Sequence, residues 1–128
     1  MDTARSFIFD TALAPAAVGA VLAALQVLRA EPALPRRVLT VAAALATTVG
    51  LPEPRSAAVS VVLGGAQRTI SAAAECLARG VRVVGFRPPA VPEGTSRLRL
   101  TMHAGLTNDD VAHVAEVLTA VLAGPTHK

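Results

Sequence analysis

The 128-residue chain has no tryptophan and no tyrosine, three phenylalanines and one cysteine. Its core must therefore be assembled from Ala, Val and Leu, which dominate a hydrophobic content of 52%. A lone thiol, Cys76, excludes an internal disulfide framework. Lysine is nearly missing as well: every cationic residue but one is an arginine, and the one lysine, Lys128, is the last residue. Chemistry that needs a lysine fixed inside the fold has no candidate here. No glycine-rich phosphate loop occurs, and Gly64-Gly65 serves only to turn the chain. His103, His113 and His127 lack ligand spacing with one another or with Cys76, so no metal site is expected.

Charge is sparse too, at 16% of residues with a net +3. The arginines are scattered and not interleaved with base-stacking aromatics, which argues against a nucleic-acid partner. The most apolar stretch, Ala12 to Leu28, is broken by Pro15, Gly19 and Gln26 and falls short of the ~20 residues of a membrane span. Asp2 and Asp10 on either side of Arg5 do not suit a secretory leader. The expectation is a buried helix in a cytoplasmic protein with no membrane partner.

What is present has clear punctuation. Ser6 to Ala14 reads as an extended leading segment, and Pro15 suits a first helical turn, where its missing N–H costs nothing. Val18, Val21, Leu22, Leu25 and Leu28 then follow at helical spacing, ending before Pro32. A second helix is expected from about Arg36 to Val49, with Gly50 as its stop and Leu51 to Arg55 as a rigid loop. From Ser56 the pattern changes. Ala57 to Leu63 reads as a buried strand, and Gln67 to Arg79 as a helix with Ile70, Ala73, Ala74 and Leu77 inward and Gly80 as C-cap. Val81 to Arg87 reads as a second strand, stopped by Pro88-Pro89. Arg97 to His103 alternates cleanly, with Leu98, Leu100 and Met102 on one face and Arg97, Arg99, Thr101 and His103 on the other. Thr107 and Asp110 stand at capping-box spacing before a last helix carrying Val111, Val114, Val117, Leu118, Val121 and Leu122. The expected fold is α/β in the α+β sense. Residues 1–128 are expected to form a single domain, with a helical segment over about 15–50 and a β-α-β-β-α unit over about 56–124. Its three-stranded sheet is mainly antiparallel, with helices on one face.

The informative patch is Arg87-Pro-Pro-Ala-Val-Pro-Glu-Gly-Thr-Ser-Arg-Leu-Arg-Leu-Thr101. Proline after Arg87 holds that backbone extended, and Arg97 and Arg99 share one face of a strand. A guanidinium on a rigid strand offers a planar fork that suits two-point binding of a carboxylate. The alternative is a solvated basic sheet face with surface ion pairs.

This run, closely followed by a capped terminal helix, resembles the C-terminal end of the α-oxoamine synthases, and Phe7 to Pro15 resembles the same family's loop into a long helix. The resemblance covers nearly the whole chain. It implies the small C-terminal domain of a fold-type-I enzyme dependent on pyridoxal 5'-phosphate (PLP), considerably longer than this chain and homodimeric. The Arg-Pro-Pro run points to the branch that condenses L-alanine with a pimeloyl thioester, with decarboxylation, in biotin biosynthesis. Sibling branches share the Arg-x-Arg strand. The family's Schiff-base lysine, the aspartate that pairs the pyridine nitrogen and the histidine that stacks on the ring all lie upstream. The resemblance therefore implies no catalytic residue in this chain, no bound PLP and no activity alone; a large N-terminal domain is the implied partner.

Matched residue by residue, Arg99 is implied to hold the amino-acid α-carboxylate. Arg87 is a second arginine near the substrate carboxylates, and Thr11 stands near the cofactor phosphate. Arg97 is left with a structural or surface role. Two positions depart from the family pattern: Ala90 stands where threonine is usual, and Asp10 where serine or threonine is common. The first removes a hydroxyl contact; the second is expected to point away from a phosphate. A competing reading is a free-standing α/β interaction module descended from the same domain, associating through its apolar first helix.

Overall fold

A computed structural model describes residues 14–124. The chain divides into two compact units, Met1–Leu34 and Pro35–Lys128. In the first, α1 spans Pro15–Ala30 with proline in its first turn, as the sequence suggests. The expectation that this helix is buried does not hold: none of its residues is buried, and Val21 and Leu22 are more than half exposed. Helical spacing of apolar residues reports a helix and its stripe, not what covers the stripe. No single helix among the described residues is long and apolar enough to cross a membrane.

The second unit begins one residue into α2, Leu34–Thr48, which buries Ala42, Leu45 and Ala46. It ends as expected at Gly50, which takes a φ of 71° and lets the Leu51 N–H reach back to the Ala46 carbonyl at 2.8 Å. Then follow β1 (Ala58–Gly64), α3 (Ala66–Ala78), β2 (Val84–Phe86), β3 (Ser96–Thr101) and α4 (Asn108–Ala123). The sheet order is β1-β3-β2, and both neighbours run antiparallel to the central β3. The three-stranded antiparallel sheet and the terminal helices agree with the fold expected from the sequence. Only β2 is markedly shorter than expected: Val81 is buried ahead of the ladder, and pairing begins at Val84.

The alternation in β3 sorts as expected. Leu98 and Leu100, with Met102 just beyond, are buried with Val59 and Val61 of β1 beneath the helices. Each such side chain contributes about 1.5–3 kcal/mol by leaving water. Leu98 is fully buried on the central strand, so its truncation to alanine costs about 2–5 kcal/mol. α4 is fixed by the expected capping box: Thr107 Oγ1 accepts from the Asp110 N–H at 3.1 Å, and Asp110 Oδ2 accepts from the Thr107 N–H at 2.8 Å.

The inward face of α3 differs from the sequence expectation. Thr69, Ala72 and Cys76 are buried, whereas Ile70 and Leu77 are 41% and 56% exposed. The cause is close packing. α3 lies so near the sheet that a Cβ built on Gly85 of β2 would stand 3.1 Å from Thr69 Cγ2. Small side chains fit that gap and Ile or Leu does not, so hydrophobicity alone picks the wrong stripe. Gly80, at φ 81°, closes the helix, with the Val81 N–H bonded to the Cys76 carbonyl at 2.9 Å.

Candidate functional site

Within the second unit the helices cover one face of the sheet and leave the other open. It presents Ser60 and Val62 from β1, Arg97, Arg99 and Thr101 from β3, and Val84 and Phe86 from β2. Val62 and Val84 are 59% and 52% exposed on it. Central placement gives Arg99 a backbone paired on both sides: Ser60 faces it across β1 and Val84 across β2. Its guanidinium carbon lies 4.2 Å from the centroid of the Phe86 ring, a cation–π contact. Within the described residues the Arg99 guanidinium has no hydrogen-bond acceptor and no carboxylate partner; the ion pair found there joins Arg79 to Glu75, one turn apart on α3, at 2.7 Å.

Arg97 differs, although it shares the strand and the face. Its Nε donates to the Thr95 carbonyl at 3.0 Å, and the side chain is half-buried. It braces the loop into β3, in keeping with a structural role. That loop is folded on itself, with the Ala90 N–H bonded to the Arg87 carbonyl at 3.0 Å and Thr95 Oγ1 to the Pro92 carbonyl at 2.7 Å. Arg87 is exposed and directly follows Phe86, just past the end of β2. Ala90 is exposed on the same loop. Thr11 and Asp10 lie outside the described residues.

Sequence reasoning missed Phe86. The signal was a lone aromatic beside Arg87, but its relation to Arg99 depends on register. Phe86 pairs with Arg97 and Val84 with Arg99, so the ring meets Arg99 along a diagonal.

Elsewhere, His103, Asp110 and His113 border a shallow cleft of about 260 Å³ beside Met102. His113 Nε2 is 3.1 Å from the Arg79 carbonyl, and His103 Nδ1 accepts from the Gly105 N–H at 3.2 Å. These groups make local structural bonds. No set of three or more His, Cys, Asp or Glu side chains gathers as a metal site among the described residues.

Comparison with known proteins decides the family. A family model for aminotransferase class I and II matches residues 1–118. The chain belongs to the aminotransferase class I and II family. Among curated relatives, the 8-amino-7-oxononanoate synthase of Mycolicibacterium smegmatis is 63% identical over 124 residues, covering 96% of this chain and 32% of that protein. The chain thus spans about a third of the length of the curated relatives it matches. Of solved structures, serine palmitoyltransferase from S. paucimobilis with bound PLP–myriocin aldimine is 26% identical with a TM-score of 0.60, over 67% of this chain and 23% of that one. The 8-amino-7-oxononanoate synthase of Francisella tularensis shares the fold, with a TM-score of 0.72 and 21% identity over 94% of this chain and 37% of its own.

Proposed function

We propose that this chain is the substrate-carboxylate domain of an 8-amino-7-oxononanoate synthase, the enzyme that condenses L-alanine with a pimeloyl thioester and releases carbon dioxide. The observation that carries the reading is the Arg99 guanidinium. It sits on a central strand, rests on an aromatic ring, and has no partner among the described residues, on the sheet face that the helices leave open. An unpaired fork held over a ring suits the α-carboxylate of an amino acid. The 63% identity to a synthase of that name supports the choice of substrate class.

The described residues do not fit a complete PLP site, because they contain no lysine to form its imine. In this reading PLP, which supplies an electron sink, is held mainly by the remaining part of the enzyme. Arg99 binds the amino-acid carboxylate and thereby fixes the rotation about the bond between the α-carbon and the amino nitrogen. That orientation selects which α-carbon bond is weakened, a positioning effect without covalent participation. Arg87 is assigned as a second arginine near the substrate carboxylates, and Thr11 to the neighbourhood of the cofactor phosphate. The large domain is the partner within the enzyme, and the whole enzyme is a cytoplasmic homodimer. The chain by itself is inactive.

The test is a chimera in which this chain replaces the matching third of the M. smegmatis synthase. Arg99→Gln in that chimera is expected to weaken L-alanine use by about 2–5 kcal/mol, the cost of stripping one partner from a desolvated charge pair. An unchanged dependence on L-alanine removes the arginine from this role. The isolated chain, mixed with PLP, L-alanine and the thioester, is expected to release no carbon dioxide; release would contradict its assignment as a partial enzyme.

A further inference from the structure

We infer that Phe86 is a positioning residue for amino-acid binding: its ring holds the Arg99 guanidinium in the one orientation that leaves its hydrogen-bonding edge open. The inference rests on the reading of Arg99 given above. An arginine side chain on an open sheet face has several rotatable bonds, and ligand binding must freeze them. Here the guanidinium already has a support, its carbon lying over the ring at 4.2 Å from the centroid. The contact is of a particular kind. A carboxylate or a carbonyl beneath Arg99 would hold it equally well, but would consume the N–H groups that a substrate needs. A ring attracts the cation through its face and takes none of the five N–H donors, which lie in the guanidinium plane.

Arg97, on the same strand, shows the contrast. Its Nε is spent on the Thr95 carbonyl, and it is no longer a full fork. The backbone explains why the ring serves Arg99 rather than its direct neighbour. Phe86 faces Arg97 across the strand pair, yet Arg97 is drawn aside to the loop, and the ring is left for the diagonal residue. The position is also secure, because Gly85 packs tightly under Thr69 and fixes the height of β2 against α3. Phe86 is the sole aromatic side chain among the described residues. A core that needed a large apolar group could have claimed it; instead it stands half-buried under a cation.

The test uses the same chimera, with Phe86→Leu, Phe86→Tyr and Phe86→Trp beside Arg99→Gln. Leucine keeps the apolar bulk and loses the quadrupole; tyrosine and tryptophan keep it. Phe86→Leu is expected to raise KM for L-alanine about two- to fivefold, the scale of one cation–π contact, while KM for the thioester stays unchanged. The tyrosine and tryptophan variants are expected to match the parent. If Phe86→Leu leaves KM for L-alanine unchanged, the inference fails. It fails equally if all three variants lose affinity for both substrates, since that marks a merely structural role. Arg99→Gln separates the two levels. Weakening by that variant with a silent Phe86→Leu overturns only the role of the ring, whereas a silent Arg99→Gln overturns the functional reading and this inference together.

Discussion

A Cβ placed on Gly85 would stand 3.1 Å from Thr69 Cγ2 and 3.6 Å from the Thr69 carbonyl oxygen. Thr69 cannot easily turn away, since it is fully buried and its Oγ1 donates to the Gly65 carbonyl at 2.9 Å. Gly85→Ala would otherwise stabilise a strand by removing chain entropy from the unfolded state. Here overpacking prevails, and the variant is expected to lose about 1–2 kcal/mol in urea unfolding. Thr69→Ser removes the opposing methyl group. In the double variant a coupling of about 1 kcal/mol should return. Simple additivity would show that α3 and β2 do not meet at this point.

The α4 cap carries a pH dependence. Hydrogen bonds from the Thr107 backbone N–H and then from its hydroxyl hold the Asp110 carboxyl below its ordinary range. A carboxyl whose value is depressed in the folded state adds stability above its unfolded value, and that stability is lost as pH falls through the lowered folded value. Acid unfolding of Asp110→Asn should therefore be less steep across that window than that of the parent. Thr107→Ala, which removes the cap itself, is expected to cost about 1 kcal/mol at neutral pH. Identical acid profiles for parent and Asp110→Asn would contradict the capping box.

Cys76 is fully buried, and burial, then the nearby Glu75 carboxylate, raises its thiol above the usual value. In the native protein it should resist aromatic disulfide reagents at about pH 8 and react only as the protein unfolds. With the folded value raised, the contribution of this group is complete below the unfolded thiol value and falls away as pH rises beyond it. Immediate stoichiometric labelling of the native protein would contradict this packing of α3.

Arg97 and Arg99 are two residues apart on β3 and should separate in function. Arg97→Ala removes the tie to the Thr95 carbonyl and is expected to cost about 0.5–1.5 kcal/mol of stability. KM for L-alanine in the chimera should not move. A rise in that KM equal to the rise for Arg99→Gln would mean that the whole basic face, and not one guanidinium, recognises the amino acid.

Much of this was legible in the chain, for identifiable reasons. Leu98, Leu100 and Met102 alternate with arginines over enough residues to fix β3 and its two faces. Thr107 and Asp110 marked the start of α4 because their spacing has a mechanism, reciprocal capping. The inner face of α3 was not legible: it is chosen by the closeness of Gly85, and the exposed Ile70 and Leu77 outweigh Thr69 and Cys76 on any hydrophobic count. The Arg97 to Arg99 strand could be read as a carboxylate site, while Phe86 could not be placed under Arg99 before the register of β2 on β3 was known. The exposure of α1 was likewise invisible to periodicity.

If Arg99 grips a carboxylate, a neutral isostere of the amino acid must lose that grip. Equilibrium binding of L-alanine and of L-alaninamide should be measured on the PLP-loaded chimera and on its Arg99→Gln variant. The chimera should prefer the acid by at least tenfold, roughly the 1.4 kcal/mol of a charge-assisted contact, and Arg99→Gln should abolish that preference. Equal discrimination by the two proteins would show that the carboxylate is held by a group other than Arg99.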